Sequence, residues 1–174
     1  MQALRQFSIP FKGLKNGTHE YEFDIDENFF KEFEDSPIEL ASLKARLELE
    51  KKNDHFILYF EADGTIQTEC DRCTATIDLP MDFDFEYIVK FDEDEREEDE
   101  VVYIHPESHH IHVGPMLYEQ ILLAIPLIKV YDCQDEDPVP CNEKVLEILN
   151  SEEEGESNNP LGDVLKDLKI TKTK

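Results

Sequence analysis

The sequence predicts an α+β fold: a mainly antiparallel, strongly twisted or partly barrel-like β-sheet with one packed helix and a flexible acidic C-terminal tail. Three observations support this prediction. Much of the first hundred residues alternates between apolar and polar side chains, which is the period of a strand. One later segment places its apolar residues on a broad helical face, and residues 151–174 are mostly polar and charged.

Length and charge indicate how many domains the chain can form. The chain has 174 residues, and 42 Asp and Glu against 17 Lys and Arg give a formal charge of −25. A hydrophobic fraction of 40% with eleven Phe is sufficient for a packed core. We therefore expect one domain over residues 1–150, followed at 151–174 by an acidic linker and a short helical segment.

The first elements follow from local patterns. Residues 20–25 alternate as a half-buried strand, and Asp26 is placed to cap a short helix over residues 27–34. Residues 43–50 also alternate with a period of two. Their Leu, Ala, Lys and Glu content favours helix, but the period favours a strand.

The alternation continues as a meander of four further strands, predicted at residues 55–62, 65–71, 74–79 and 82–91. Asp63-Gly64 is a strong hairpin signal and is expected to join the first two of these strands. Cys70 to Cys73 falls at the next turn, and Pro80 is expected to mark a bend.

Later elements include a strand at residues 101–104 and a helix from Pro115 to about Ile125, which Pro126 ends. One or two helical turns are expected at residues 145–149, and a short amphipathic helix within residues 161–174. The predicted core consists of Phe23, Phe29, Phe30, Leu47, Ile57, Tyr59, Phe85, Tyr87, Leu117, Ile121 and Leu122.

Several functional classes are disfavoured. The longest apolar run, residues 121–128, is far shorter than the roughly 18–20 residues of a membrane helix. The N-terminus lacks the apolar stretch of a secretory signal, so a cytoplasmic location without membrane contact is expected. So acidic a surface repels RNA and DNA, which disfavours direct nucleic-acid contact and leaves basic proteins as the expected partners.

Four cysteines could carry chemistry. Cys70 and Cys73 have the spacing at which two thiolates approach one tetrahedral metal, and Cys133 and Cys141 follow the predicted helix. A four-cysteine zinc site is one interpretation, although the second pair is more widely spaced than is usual. A redox pair and ordinary reduced thiols are the alternatives.

Residues 92–100, hereafter the acidic run, are either a solvated loop or a docking arm for a basic partner. The candidate partner-binding residues are Asp92, Glu93, Asp94, Glu95, Glu97, Glu98, Asp99 and Glu100. The histidines from His105 to His112 read better as a solvated cluster than as a metal site. No nucleophile with a base and no glycine-rich phosphate loop stands out, so no enzymatic activity is expected.

The order of segments resembles the YceD-like family, named for large ribosomal RNA subunit accumulation, and in particular its Bacteroidetes-type members. The resemblance spans about residues 5–170. It is carried by IPFKGLKNGTHEYEFDIDENFF, by TECDRCTATIDLPMDFDFEYIVKF with its cysteine pair, by the acidic insert, and by MLYEQILLAIPL with a late cysteine.

The resemblance implies a non-enzymatic factor that supports large-subunit ribosomal RNA accumulation and large-subunit assembly. The family's gene commonly lies beside that of a small basic ribosomal protein, which implies a basic ribosomal protein or assembly factor as partner. No catalytic residue carries over. Many relatives carry a second tight cysteine pair, from which Cys133 and Cys141 depart. The alternative function is a cytosolic structural-zinc or redox protein built on the cysteines.

Overall fold

A computed structural model describes residues 3–98, 100–130 and 139–154 of the chain. It is built around one sheet of six strands and a separate pair of short strands. The strands are β1 (Ser8–Pro10), β2 (Gly17–Ile25), β3 (Ala41–Lys51), β4 (His55–Glu69), β5 (Thr76–Phe91), β6 (Arg96–Glu98), β7 (Val101–Ile104) and β8 (His110–His112). The helices are α1 (Glu27–Phe30), α2 (Gly114–Ala124) and α3 (Glu143–Glu154), and a 3-10 turn spans Ala3–Phe7.

The large sheet has the strand order β2-β3-β4-β5-β7-β6, and β1 pairs with β8. Every pairing is antiparallel except β5 with β7. The α+β class and the mainly antiparallel sheet are thus confirmed. Among the described residues β2 and β6 are not paired with each other, so the sheet stays open rather than closing as a barrel.

Strict alternation explains why the sheet has one buried face. Along β3, Leu43, Ala45, Leu47 and Leu49 are buried while the residues between them are largely exposed. Phe56, Leu58 and Phe60 do the same on β4. Because side chains alternate across a strand, every second residue enters the core and the others form a solvated outer face.

The predicted hairpin at Asp63-Gly64 is wrong, because β4 continues through both residues to Glu69. Gly64 lies between Leu43 on β3 and Met81 on β5 and has a φ of 144°. A Cβ at this position would overlap the carbonyl oxygen of Ser42. The glycine is therefore needed because two strand backbones approach closely at this position. In the sequence, a glycine needed for this reason cannot be distinguished from one that forms a turn.

Pro80 also lies within a continuous strand rather than between two. It pairs with Thr65 of β4, while the partner on the other side of β5 is β7, which contacts only residues 88–91. Along its first part β5 is consequently an edge strand. Since proline lacks an amide proton, this open edge accommodates it without loss of a ladder hydrogen bond.

Helix α1 is shorter than the predicted 27–34, although the predicted cap is present. The Asp26 carboxylate accepts a hydrogen bond from the backbone N–H of Asn28 at 2.9 Å. The helix ends at Phe30, and the chain then reaches Asp35, whose φ is 56°. A positive φ is incompatible with a right-handed helix, so helical conformation cannot extend through Asp35.

Helix α2 packs against the buried face as predicted, with Met116, Leu117 and Ile121 buried. Gln120 donates a hydrogen bond to the Tyr87 hydroxyl at 3.0 Å, which fixes the helix against β5. Phe33, after α1, stacks on Tyr118 with ring centroids 3.8 Å apart. The chain that follows α1 therefore packs against α2.

Most of the predicted core is buried, with two errors on β4. Ile57 is only half-buried and Tyr59 is 36% exposed, because their neighbours Phe56, Leu58 and Phe60 occupy the inward positions instead. Phe85 and Leu122 are partly buried against the core. On β4, both sets of alternating positions carry apolar residues, so the sequence does not indicate which set faces the core. In the structure, the set that contains the phenylalanines faces the core.

Helix α3 includes residues 151–154, which the sequence pattern assigns to the linker. The residues from 155 onward, including the predicted C-terminal helix, lie outside the described residues. The division into a domain of residues 1–150 and a tail of residues 151–174 stays a prediction.

Candidate functional site

The turn that joins β4 to β5 brings two cysteine side chains into the interior. Cys70 is 6% exposed and Cys73 is 1% exposed. The Cys70 N–H donates to the Ala75 carbonyl at 2.8 Å, and the Thr74 N–H donates to the Cys70 carbonyl at 2.9 Å. Thr74 has a φ of 57°, so the chain makes a tight left-handed reversal that turns both sulfurs inward.

A third cysteine reaches this turn from a distant part of the sequence. The Cys73 thiol contacts both the Cys70 thiol and the Cys141 thiol. Cys141 is half-buried and packs against the core. We refer to Cys70, Cys73 and Cys141 as the cysteine cluster. The structure thus brings together three of the four predicted metal ligands, and the fourth, Cys133, lies outside the described residues.

The sulfur of Cys73 lies among hydrogen-bond donors. The backbone N–H groups of Asn142 and Ala75 both donate to it, and they lower the pKa of the Cys73 thiol because they stabilise the thiolate. Within residues 3–98, 100–130 and 139–154, no group of three or more His, Cys, Asp or Glu side chains is arranged to hold a metal ion as it stands.

A second connection holds the chain after α2 beside the same turn. The Asp71 N–H donates to the Lys129 carbonyl at 3.1 Å, and the Lys129 N–H donates to the Asp71 carboxylate at 2.7 Å. The Lys129 ammonium also lies 3.8 Å from that carboxylate. Residues on both sides of the segment 131–138 are therefore attached to the cysteine turn.

The acidic run is folded onto the domain where it is described. Arg96 forms ion pairs with Asp92 at 2.9 Å and with Glu98 at 2.8 Å, and its guanidinium stacks on the Tyr103 ring at 3.9 Å. The hydrogen bond from Arg96 lowers the pKa of Asp92. Residues 96–98 form β6 rather than a loop, and Asp99 lies outside the described residues.

Other acids of the run also contact the domain. Glu95 accepts a hydrogen bond from the backbone N–H of His105 at 3.4 Å. Glu97 lies near Tyr87, whose pKa is raised chiefly by desolvation, and near Glu119, whose pKa is raised by desolvation and then by the Glu97 charge. Over much of its length, the acidic run consequently packs against the domain and forms the edge of the sheet.

A second acidic surface, which the sequence analysis did not identify, is the outer face of β2 to β5. Directly opposite positions on neighbouring strands carry like charges at Glu20 and Glu48, at Glu61 and Asp84, and at Asp63 and Asp82. All six are exposed. Like charges directly opposite each other destabilise a sheet. The signal lay in the polar positions of the predicted strands, but their alignment requires the register, which the sequence does not specify.

The outer face contains a shallow cavity and an exposed aromatic ring. A shallow cavity of about 230 Å³ is lined by residues that include Glu20, Glu22, Arg46, Glu48, Tyr59 and Glu61. Partial desolvation, together with the charges of Asp84 and Glu61, raises the pKa of the Tyr59 phenol. Carboxylates and an exposed ring at one concave surface fit a cationic side chain such as Arg or Lys.

The histidines lie along β8 and its approach. His112 shares a hydrogen bond of 2.8 Å with Ser8, and His109 lies 3.1 Å from the Lys12 ammonium. The rings of His110 and His112 stack at 6.4 Å. These contacts hold the paired strands β1 and β8 together, in keeping with a solvated cluster.

Among the described helices, none is long and apolar enough to cross a membrane.

Comparison with known proteins gives one result. No curated protein and no solved structure matches the chain. The family model described as large ribosomal RNA subunit accumulation protein YceD matches residues 58–169, a shorter span than the predicted resemblance over residues 5–170. This match extends from β4 through the cysteine turn, the acidic run and α2, and covers more than half of the sequence. The chain therefore belongs to the YceD family of large ribosomal RNA subunit accumulation proteins.

Proposed function

We propose that this protein is a non-enzymatic cytoplasmic factor that supports accumulation of large-subunit ribosomal RNA and assembly of the large subunit by binding a basic ribosomal protein or assembly factor. Family membership supports the ribosomal part of the proposal. The observation that carries the partner's chemistry is the acidic outer face, where three pairs of like charges stand directly opposite each other.

The like-charge pairs are informative because they are unfavourable for the fold itself. Each such pair costs on the order of 0.2–1 kcal/mol relative to neutral residues. A cationic partner would convert this repulsion into attraction. An acidic face on which four acids have no cation directly opposite is therefore a suitable surface for Lys-rich or Arg-rich protein segments.

A basic protein fits this surface better than ribosomal RNA does. The net charge of −25 repels phosphate at long range, whereas it attracts a cationic protein and speeds its encounter. Basic proteins that bind RNA through their charge also bind nucleic acids without regard to sequence. An acidic carrier would shield their charge until ribosomal RNA, the stronger polyanion, displaces it.

The alternative function based on cysteine redox chemistry has less support. A reactive thiol pair needs a partially exposed sulfur in an electropositive site, often at a helix N-terminus. Cys70 and Cys73 are buried in a turn between two strands. A structural role for the cysteines is compatible with the ribosomal function.

The experiment that tests the proposed function is depletion of the protein from its own cells, followed by gradient separation of ribosomal subunits and quantification of both ribosomal RNAs. We expect a selective loss of large subunits and of their RNA, reversed by the wild-type gene. Unchanged subunit ratios and RNA levels after complete depletion would contradict the proposal.

A further inference from the structure

We propose that the paired strands β1 and β8, with the 3-10 turn before them, carry a binding site for the phosphate backbone of single-stranded RNA. The site, which we call the cationic track, consists of Arg5, Ser8, Lys12, His109, His110 and His112. The inference goes beyond the proposed function, which concerns a basic protein on the outer face, and its test does not use that face.

The track joins two segments of the chain that are poor in acids. Residues 1–19 contain three Lys and Arg and no Asp or Glu, whereas the whole chain has 42 acids and a net charge of −25. Residues 105–112, which include β8, contain four histidines and a single acid, Glu107. The pairing of β1 with β8 brings the two segments together. Positive charge and hydrogen-bond donors therefore collect at one place on an otherwise acidic molecule.

An open cavity of about 440 Å³ is formed by the 3-10 turn, β1 and β8. It is lined by Leu4, Arg5, Ser8, His110 and His112, and none of these described residues carries a carboxylate. The Arg5 guanidinium forms no ion pair within the described part of the chain, so its donors are available. A guanidinium suits phosphate because its planar fork donates two parallel hydrogen bonds to phosphate oxygens.

One histidine of this cavity is held in place by its neighbours. The Nδ1 atom of His112 lies 2.8 Å from the Ser8 hydroxyl, and the rings of His110 and His112 stack with their centroids 6.4 Å apart. When the hydroxyl donates to Nδ1, the ring proton of His112 lies on Nε2, which is then free to donate. A phosphate oxygen that accepts this hydrogen bond stabilises the same tautomer.

The track continues to a second cation at the other end of β1. The Phe11 N–H donates to the His109 carbonyl at 3.1 Å. The Lys12 ammonium lies 3.1 Å from His109 Nε2 and donates to the Glu107 carbonyl at 3.3 Å. Neither contact neutralises Lys12, which forms no ion pair with a carboxylate of the described residues. Arg5 precedes β1 and Lys12 follows it, so the two charges lie in a row.

A row of donors favours a nucleic-acid strand over an isolated phosphate ion. Successive phosphates of one strand can each meet one group, and proteins bind single strands through positively charged grooves that follow the backbone. The rings of His110 and His112 also offer faces on which bases can stack. The family to which the chain belongs is named for ribosomal RNA, which makes RNA the strand to test.

Neighbouring acids confine the contact to the track. His110 and His112 also line a second cavity, of about 570 Å³, together with Glu95 and Glu97. These carboxylates and the net charge of −25 repel phosphates that extend beyond the track. We therefore expect binding that is weak, covers a short length of RNA and is strongest at low salt.

The test measures the fluorescence anisotropy of a labelled single-stranded oligouridine with the full-length protein at several salt concentrations. The track variant carries Arg5→Gln and Lys12→Gln. The matched control carries Arg72→Gln and Lys144→Gln, two exposed cations outside the track, so the net charge changes equally. At low salt we expect the track variant to bind about tenfold more weakly than the wild type, and the control to lose much less.

Three further measurements locate the strand. The slope of log affinity against log salt should flatten by about 1.4 in the track variant, since each single-strand phosphate contact contributes about 0.7. Glu107→Gln, which removes the one acid of residues 105–112, should strengthen binding about twofold. Photocrosslinking of a thiouridine-substituted RNA should label peptides from residues 3–15 and 105–112.

Three results would overturn the inference. One is the absence of RNA binding at low salt. Another is an equal loss of affinity in the track variant and its control, which would leave only a long-range effect of net charge. The third is competition by inorganic phosphate or a mononucleotide as strong as that by the oligouridine at equal phosphate concentration, which would indicate a site for one phosphate.

This inference and the proposed function fail separately. Binding of the track variant to basic large-subunit proteins, measured by calorimetry, should not be weaker than that of the wild type, because the outer face is unchanged. Loss of RNA binding in the track variant with basic-protein binding intact would support two distinct surfaces. Weakened binding of both ligands would contradict the separation of the track from the outer face.

Discussion

Two acidic regions of this molecule look equivalent in charge and differ in structure. In the acidic run, the acids follow one another along the chain, and Arg96 pairs with two of them while stacking on Tyr103. On the outer face, the acids come from four separate strands and oppose each other across the sheet. The run is partly neutralised from within by Arg96. On the outer face, Arg46 lies opposite Glu61 and Lys44 lies opposite Asp63, but no cation lies directly opposite Glu20, Glu48, Asp82 or Asp84.

The density of charge along a sequence is therefore a poor guide to the charge that is available to a partner in the folded protein. An acid that already accepts hydrogen bonds from its own domain must lose them before it can contact a partner. An acid that faces another acid gains from any cation that approaches. The outer face, rather than the run, is the surface on which a basic partner would be expected to gain most.

The largest expected effect is therefore on partner binding. The outer-face variant carries Glu20→Gln, Glu48→Gln, Glu61→Gln and Asp84→Asn. It should weaken binding to the cognate basic large-subunit protein by about tenfold or more, since each charge contact contributes roughly 0.2–1 kcal/mol. The salt dependence of binding should also become shallower. Calorimetry against purified basic large-subunit proteins at several salt concentrations measures both quantities.

The matched control neutralises four acids of the acidic run: Glu93→Gln, Asp94→Asn, Glu95→Gln and Glu97→Gln. The net charge changes equally, so a purely long-range effect would weaken binding equally. We expect a smaller loss of affinity than for the outer-face variant. A larger loss in the run variant would restore the docking-arm interpretation and contradict the comparison.

A smaller effect is expected on stability, and its sign distinguishes the two regions. Asp82 pairs across the sheet only with Asp63. Asp82→Asn should therefore raise the free energy of unfolding by about 0.2–1 kcal/mol, as the like-charge repulsion disappears. Glu98→Gln, which removes a partner of Arg96, should lower stability or leave it unchanged. Urea denaturation of both variants and the wild type provides the comparison, and a loss of stability in Asp82→Asn would contradict it.

The smallest effect is the pH dependence of the run. Arg96 holds the pKa of Asp92 below its ordinary value of 3.8. The stabilisation is fully present above pH 3.8 and is lost as the pH falls through the lower folded-state value. Arg96→Gln should therefore reduce the difference in stability between neutral pH and pH values below 3.8. If the free energies of unfolding of the variant and the wild type differed by the same amount at every pH, the Arg96–Asp92 pair would not contribute to the pH dependence of stability.

Much of the fold follows from residue alternation, and the errors have specific causes. Period two correctly predicts β2 and β3 and rejects the helix that composition favours at residues 43–50. The same reasoning fails at Gly64 because a close approach of two backbones and a hairpin turn both require a residue without a Cβ. Local sequence does not distinguish these two uses.

The candidate sites were predictable only in part, for a related reason. The spacing of Cys70 and Cys73 identifies a turn, but the contact with Cys141 depends on where the chain after α2 is placed. The outer face depends on strand register, which aligns Glu20 with Glu48 and Glu61 with Asp84. Structure formed within one segment could be predicted from the sequence. Contacts between segments that are distant in the sequence could not.

Depletion combined with replacement tests whether the outer face binds the basic partner in cells. Cells depleted of the protein would be supplied with the wild type, the outer-face variant or the run variant at equal protein levels, and large-subunit RNA would be quantified across a subunit gradient. We expect that the wild type and, to a large extent, the run variant restore the large subunit, while the outer-face variant does not. Full restoration by the outer-face variant would contradict it.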